Sequence, residues 1–114
     1  MTPEEWVRQN VVRFLIQEKK YSQSAINTEV VVTVNGMKKR ADVIVYKKEK
    51  PFIIVECKSP SITVSQQTFD QIARYNLQIG AEYLMVTNGF NHYYCQMDLE
   101  NEKYIFMEEL PVKQ

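Results

Sequence analysis

The chain has 114 residues, 45% of them hydrophobic, which predicts one domain around one core and no linker. Lys plus Arg and Asp plus Glu both count 14, so no global positive field marks a nucleic-acid binder, and any such contact must rest on local groups. No apolar run approaches the roughly 20 residues that span a bilayer, and Thr2, Pro3, Glu4 and Glu5 lack the charged and apolar regions of a signal peptide, so a cytoplasmic protein with no membrane role is expected.

A helix is predicted from the N-terminus to about Glu18. Thr2 serves as N-cap, Pro3 takes the first helical position, and Glu5 stands at the third position of a capping box. Val7, Val11, Phe14 and Leu15 recur at helical spacing and mark its core face. From Ile26 to Asn35 the β-branched content rises, and Asn35-Gly36 signals a hairpin turn into a second strand, Lys38 to Tyr46. Phe52 to Lys58 reads as the third strand, after a polar five-residue loop from Lys47 to Pro51, and Ser59-Pro60-Ser61 ends it. A second helix fits Ser65 to Ile79, with Phe69, Ile72, Ala73 and Ile79 inward and Gly80 as its stop. Glu82 to Thr87, Tyr93 to Met97 and an edge segment, Tyr104 to Met107, complete a central mixed sheet of four to six strands flanked by helices, an α/β or α+β fold.

The second and third strands carry the chemistry. If Tyr46 and Phe52 flank the loop, antiparallel pairing sets Ile44 against Ile54, Asp42 against Glu56 and Arg40 against Lys58, all on one face. Opposed carboxylates at cross-strand distance destabilise a sheet unless something compensates. A divalent cation does so, because Mg²⁺ takes hard oxygen ligands and is held by one or two carboxylates plus water. The competing account is a metal-free ion-pair cluster in which Lys58 and Arg40 satisfy Asp42 and Glu56. Phe52, Ile53, Ile54 and Val55 form a run apolar on both faces and lead straight into Glu56-Cys57-Lys58, where unpaired charge is costly.

The order Lys39-Arg40-Ala41-Asp42-Val43-Ile44-Val45-Tyr46, then Ile54-Val55-Glu56-Cys57-Lys58-Ser59-Pro60, then Gln71 to Asn76, then Val86-Thr87-Asn88-Gly89 resembles the PD-(D/E)XK nuclease superfamily. It is most similar there to the N-terminal nuclease domain of type I restriction enzyme R subunits, across nearly the whole chain. Ala41 departs from the proline of the superfamily label. The resemblance implies a restriction-endonuclease-like fold and Mg²⁺-dependent cleavage of DNA, with Mn²⁺ able to substitute. It implies that Asp42, Glu56 and the main-chain carbonyl of Cys57 hold the metal, and that Lys58 positions or helps deprotonate the attacking water. Glu5 matches a glutamate that often completes such metal sites, and stands open between that role and capping. Gln71 and Tyr75 match a Gln-x-x-x-Tyr element beside the active site, and Ser59 and Arg40 fall at its periphery.

Two other function classes stay open at this point. One is a non-catalytic DNA- or protein-binding module on the same fold. The other is a Holliday-junction-resolvase-like nuclease, for which a homodimer would enlarge the small DNA-gripping surface. Restriction-system subunits are the further partners that the resemblance suggests. Lys38, Lys39, Arg40, Lys47, Lys48 and Lys50 cluster along one stretch, a pattern more often a solvated face than a nucleic-acid site. Cys57 and Cys95 form no zinc spacing with the lone His92, which is read as a surface group. Tyr93, Tyr94 and Tyr104 are read as strand residues, and Met85, Met97 and Met107 as core.

Overall fold

The computed structural model describes residues 1–114. Helix α1, Pro3–Gln17, starts where Thr2 Oγ1 accepts the Glu5 N–H at 3.1 Å, and Glu18 is its C-cap. Val7, Val11 and Leu15 are its buried stripe. A short 3-10 turn leads into strand β1, Ile26–Val34, which pairs antiparallel with β2, Met37–Lys47. Asn35 and Gly36 join them with φ of 51° and 77°, both left-handed, as a two-residue hairpin turn demands. Strand β3 is Lys50–Cys57. Helix α2, Gln66–Asn76, begins at Ser65, whose Oγ accepts the Thr68 N–H at 3.1 Å. Strands β4, Tyr83–Thr87, β5, His92–Asp98, and β6, Lys103–Met107, follow.

All six strands form one mixed sheet in the order β1-β2-β3-β4-β5-β6. Only β3 and β4 are parallel, which is why α2 lies between them in sequence, as a crossover. The central strands bury side chains on both faces. Val43, Val45, Ile53 and Val55 pack with α1, whereas Ile44, Ile54, Leu84 and Val86 pack with Phe69, Ile72 and Ala73 of α2. Each of these fully buried aliphatic side chains contributes about 1.5–3 kcal/mol relative to exposure. The result is an α+β fold with a helix on each face of the sheet, as the sequence predicts. Met85 and Met97 are buried, while Met107 on the edge strand is only half-buried.

Two expectations about the β2–β3 hairpin are corrected. The connection is the two-residue turn Lys48-Glu49, both left-handed at φ 52° and 64°, instead of the loop Lys47 to Pro51. The register then shifts between Val45 and Tyr46, so Tyr46 pairs with Pro51, not Phe52, although Ile44 still faces Ile54. A bulge of this kind turns side chains over. Tyr46 accordingly packs on the α2 side and Phe52 on the α1 side, and the single shared face expected of these residues does not exist.

Candidate active site

The sheet forks at Asp42 and Glu56. Pairing of β2 with β3 ends at Val43 and Val55. Beyond that point β2 stays with β1, Ala41 against Val30 and Arg40 against Val31. Strand β3 stays with β4, where Cys57 pairs with Thr87 and the Lys58 N–H donates to the Thr87 carbonyl at 2.8 Å. The Asp42 side chain bridges the fork: its Oδ2 accepts the Cys57 backbone N–H at 2.8 Å, replacing the strand bond lost there.

The alternation of β2 also breaks at this place. Ala41 packs on the α2 side and Val43 on the α1 side, although residues two apart on a regular strand share a face. Glu29, flanked by the β1 partners of those two residues, has φ of 52°, a conformation uncommon for a residue with a side chain. Asp42 therefore comes under the influence of α1, where Glu4 and Arg8 act on its charge. Glu56 keeps regular alternation and meets the α2 side, where Lys39 and Tyr75 lie.

An open cleft of about 510 Å³ sits in the fork between the start of α1 and the two strands. Asp42, Glu56, Cys57 and Lys58 all line it, and so do Arg40 and Glu5. Burial pushes the Asp42 carboxyl above the ordinary Asp range. The neighbouring Glu56 and Glu4 push the same way, against the Cys57 N–H and Arg8. Glu56 is 6% exposed. Its Oε1 lies 2.6 Å from Lys39 Nζ, an ion pair that neutralises the carboxylate although its angles are not those of a good hydrogen bond. No three His, Cys, Asp or Glu side chains gather at metal-ligand spacing.

The expected neutralising partners are replaced by others. Lys58 forms no ion pair, and Lys39 takes Glu56 instead. Arg40 faces Val31 on β1 and not Lys58, and its guanidinium lies 3.6 Å from Glu29 Oε1. Glu5 keeps the Thr2 cap through its backbone N–H and still borders the cleft. Tyr75 is half-buried on α2 and carries the Lys39 ammonium 4.0 Å from its ring centroid. Gln71 is exposed and is not among the residues that line the cleft, and Ser59 begins the turn after β3, its carbonyl accepting the Ile62 N–H at 2.9 Å.

The family described as the type I restriction enzyme R protein N terminus matches residues 3–111. The chain belongs to that family. The match takes in every element from α1 to β6, the whole fork included, and sets the chain in the context of restriction enzymes. A comparison with curated proteins gives no match. No helix is long and apolar enough to cross a membrane.

Glu4 and Arg8 line the cleft and are not singled out by the sequence, and Lys39, which pairs with Glu56, appears there only within a motif run and a basic cluster read as a solvated face. The signal for the first two lies in helical spacing: Glu4 precedes the buried Val7 by three residues, and Arg8 follows Glu4 by four. Capping logic pointed to Glu5, whereas the buried stripe extended backwards falls on Glu4. For Lys39 the signal was strand parity, since it shares the α2 face with Ala41.

Proposed function

We propose that the chain is a Mg²⁺-dependent nuclease domain of the restriction-enzyme R-protein type, hydrolysing DNA phosphodiester bonds. The observation that carries this reading is the fork itself. Asp42, Glu56, Cys57 and Lys58 line one cleft at the point where β2 and β3 part, within a restriction-enzyme family match.

The residues present fit a hard divalent cation. The carboxyl on Asp42, whose charge is resisted by burial and by two acidic neighbours, is short of positive charge, and Glu56 beside it is a buried carboxylate whose counter-charge is the Lys39 ammonium. Asp42, Glu56 and the Cys57 carbonyl would hold the ion, with Mn²⁺ as a substitute. When bound, Mg²⁺ supplies Lewis-acid stabilisation of phosphoryl oxygens and makes a nucleophile of water at neutral pH.

The chain's own groups have separate tasks. Asp42 keeps one oxygen on the Cys57 N–H, which fixes the carboxylate and leaves its other oxygen for the cleft. Lys58 carries an uncommitted ammonium at the cleft wall, suited to stabilise charge developing on the phosphate and to orient the attacking water. Arg8 and Arg40, which share Glu29 Oε1 at 3.7 and 3.6 Å, are the guanidiniums at the cleft that a phosphate backbone would meet. Tyr75 bears on the site through Lys39.

The Lys39 contact with Glu56 favours one competing reading, a non-catalytic DNA- or protein-binding module whose carboxylate is simply neutralised. Cleavage of plasmid and four-way-junction DNA with Mg²⁺ or Mn²⁺, beside an Asp42→Ala control, separates them. The nuclease reading expects metal-dependent cleavage lost in the control. Tight DNA binding without cleavage under any metal supports the module. Gel filtration with and without the junction reports whether a homodimer, as in a resolvase, is the working form.

A further inference from the structure

We infer that Lys39 is a built-in counter-ion of Glu56 that gives way to a divalent cation, so that the site exchanges an ammonium for a metal ion when it loads. This rests on the metal-binding reading of the cleft and adds the residue that governs its occupancy.

The geometry carries the inference. Glu56 is 6% exposed, and a carboxylate so buried needs a positive partner to stay charged. Lys39 Nζ provides one at 2.6 Å from Oε1. A divalent ion on the same oxygen would set two positive charges at contact distance, which Coulomb repulsion forbids in a poorly solvated site. The two partners are therefore exclusive. The Lys39 side chain is 26% exposed and the Glu56 side chain 8%, so the ammonium moves out to water more readily than the carboxylate does. Tyr75 supplies its resting place: with Nζ 4.0 Å from the ring centroid, a cation–π contact holds the ammonium beside Glu56 without depending on it. Tyr75 is thus a positioning residue that acts through Lys39. Lys58, just past the end of the strand that carries Glu56 and free of any ion pair, has no such commitment.

The test is calorimetric titration of Mn²⁺ into the unaltered chain and into Lys39→Met, Lys39→Arg, Tyr75→Leu and Glu56→Gln, with no DNA present. Lys39→Met is expected to bind Mn²⁺ about tenfold more tightly, because the competitor is gone and Glu56 is left unpaired. Lys39→Arg, which keeps the charge, is expected to bind as the unaltered chain does. Unfolding melts should show Lys39→Met less stable without Mn²⁺ and more strongly stabilised by it. A purely structural lysine would lower stability without tightening metal binding. Lys39→Met that binds no more tightly, with Glu56→Gln losing the ion, overturns the exchange and leaves the metal site standing. Absence of Mn²⁺ binding throughout overturns both. Should Lys39→Met not fold, Tyr75→Leu decides: tighter binding supports the exchange, and unchanged binding overturns it.

Discussion

The Asp42 carboxylate does the work of a strand neighbour, its Oδ2 accepting the Cys57 backbone N–H at 2.8 Å just where β2 and β3 stop pairing. The same bond that closes the fork aims the carboxylate into the cleft.

Asp42→Ala should accordingly cost both stability and activity. Leaving the Cys57 N–H without its acceptor is expected to lower stability by about 1–3 kcal/mol. Asp42→Asn keeps an amide oxygen for that N–H but removes the charge, so it should hold the fold and still abolish metal-dependent cleavage. Urea unfolding alongside a plasmid-nicking assay distinguishes the two substitutions, and equal stability losses would contradict the bridging role.

The charge on Asp42 also makes stability depend on pH. Burial first, then Glu56 and Glu4, raise its pKa above the ordinary 3.8. A carboxyl with a raised folded-state pKa binds its proton more tightly when folded, so its favourable contribution is complete below the unfolded value and is lost as pH rises through the folded one. Asp42→Asn lacks this titration. Its stability relative to the unaltered chain should therefore increase from below pH 3.8 up to the folded-state pKa and level off above it. Urea midpoints measured across that range without metal check this, and a difference independent of pH would refute it.

Lys58→Ala is expected to leave stability within about 0.5 kcal/mol of the parent, because the side chain is partly exposed and holds no ion pair. Cleavage should fall by roughly 100-fold or more if the ammonium meets developing charge. Single-turnover nicking rates and a thermal melt give both numbers, and parental cleavage by the variant would remove Lys58 from the mechanism.

Gly89 controls how closely α1 approaches β4 and β5. Its φ is 94°, and a Cβ there would lie 2.8 Å from Trp6 Cζ3 and 3.3 Å from Val7 Cγ2. Trp6 is 43% exposed and has room to swing, but Val7 is fixed in the core. Gly89→Ala should therefore cost about 1–3 kcal/mol through backbone strain and crowding. An unchanged melting temperature would show that α1 is more loosely seated than its packing indicates.

Much of the architecture was legible because local chemistry and tertiary context agree. Asn35-Gly36 formed the turn its φ preferences require, Thr2-Pro3 and Ser65 began the helices, and the run Ile53 to Val55 was buried on both faces. The fork was only half legible. Lys48, Glu49 and Glu29 adopt left-handed conformations without the glycine or asparagine that would announce them, so the tight turn, the bulge at Tyr46 and the broken alternation at Asp42 left no mark in the sequence. Pairing arithmetic still brought Asp42 and Glu56 to the same level of the hairpin, because Ile44 and Ile54 kept their register. It missed the counter-ion, since Lys39 reaches Glu56 from β2 by side-chain length and not by facing it.

The central claim is that Asp42 and Glu56 hold one divalent cation in the fork. Anomalous scattering from Mn²⁺-soaked crystals tests it most directly. The account expects a single strong peak within about 2.0–2.3 Å of carboxylate oxygens of both residues, as for a hard octahedral ion, with the Lys39 ammonium moved off Glu56. A cleft without a peak, with Lys39 still seated on Glu56 in the presence of saturating Mn²⁺, would contradict it.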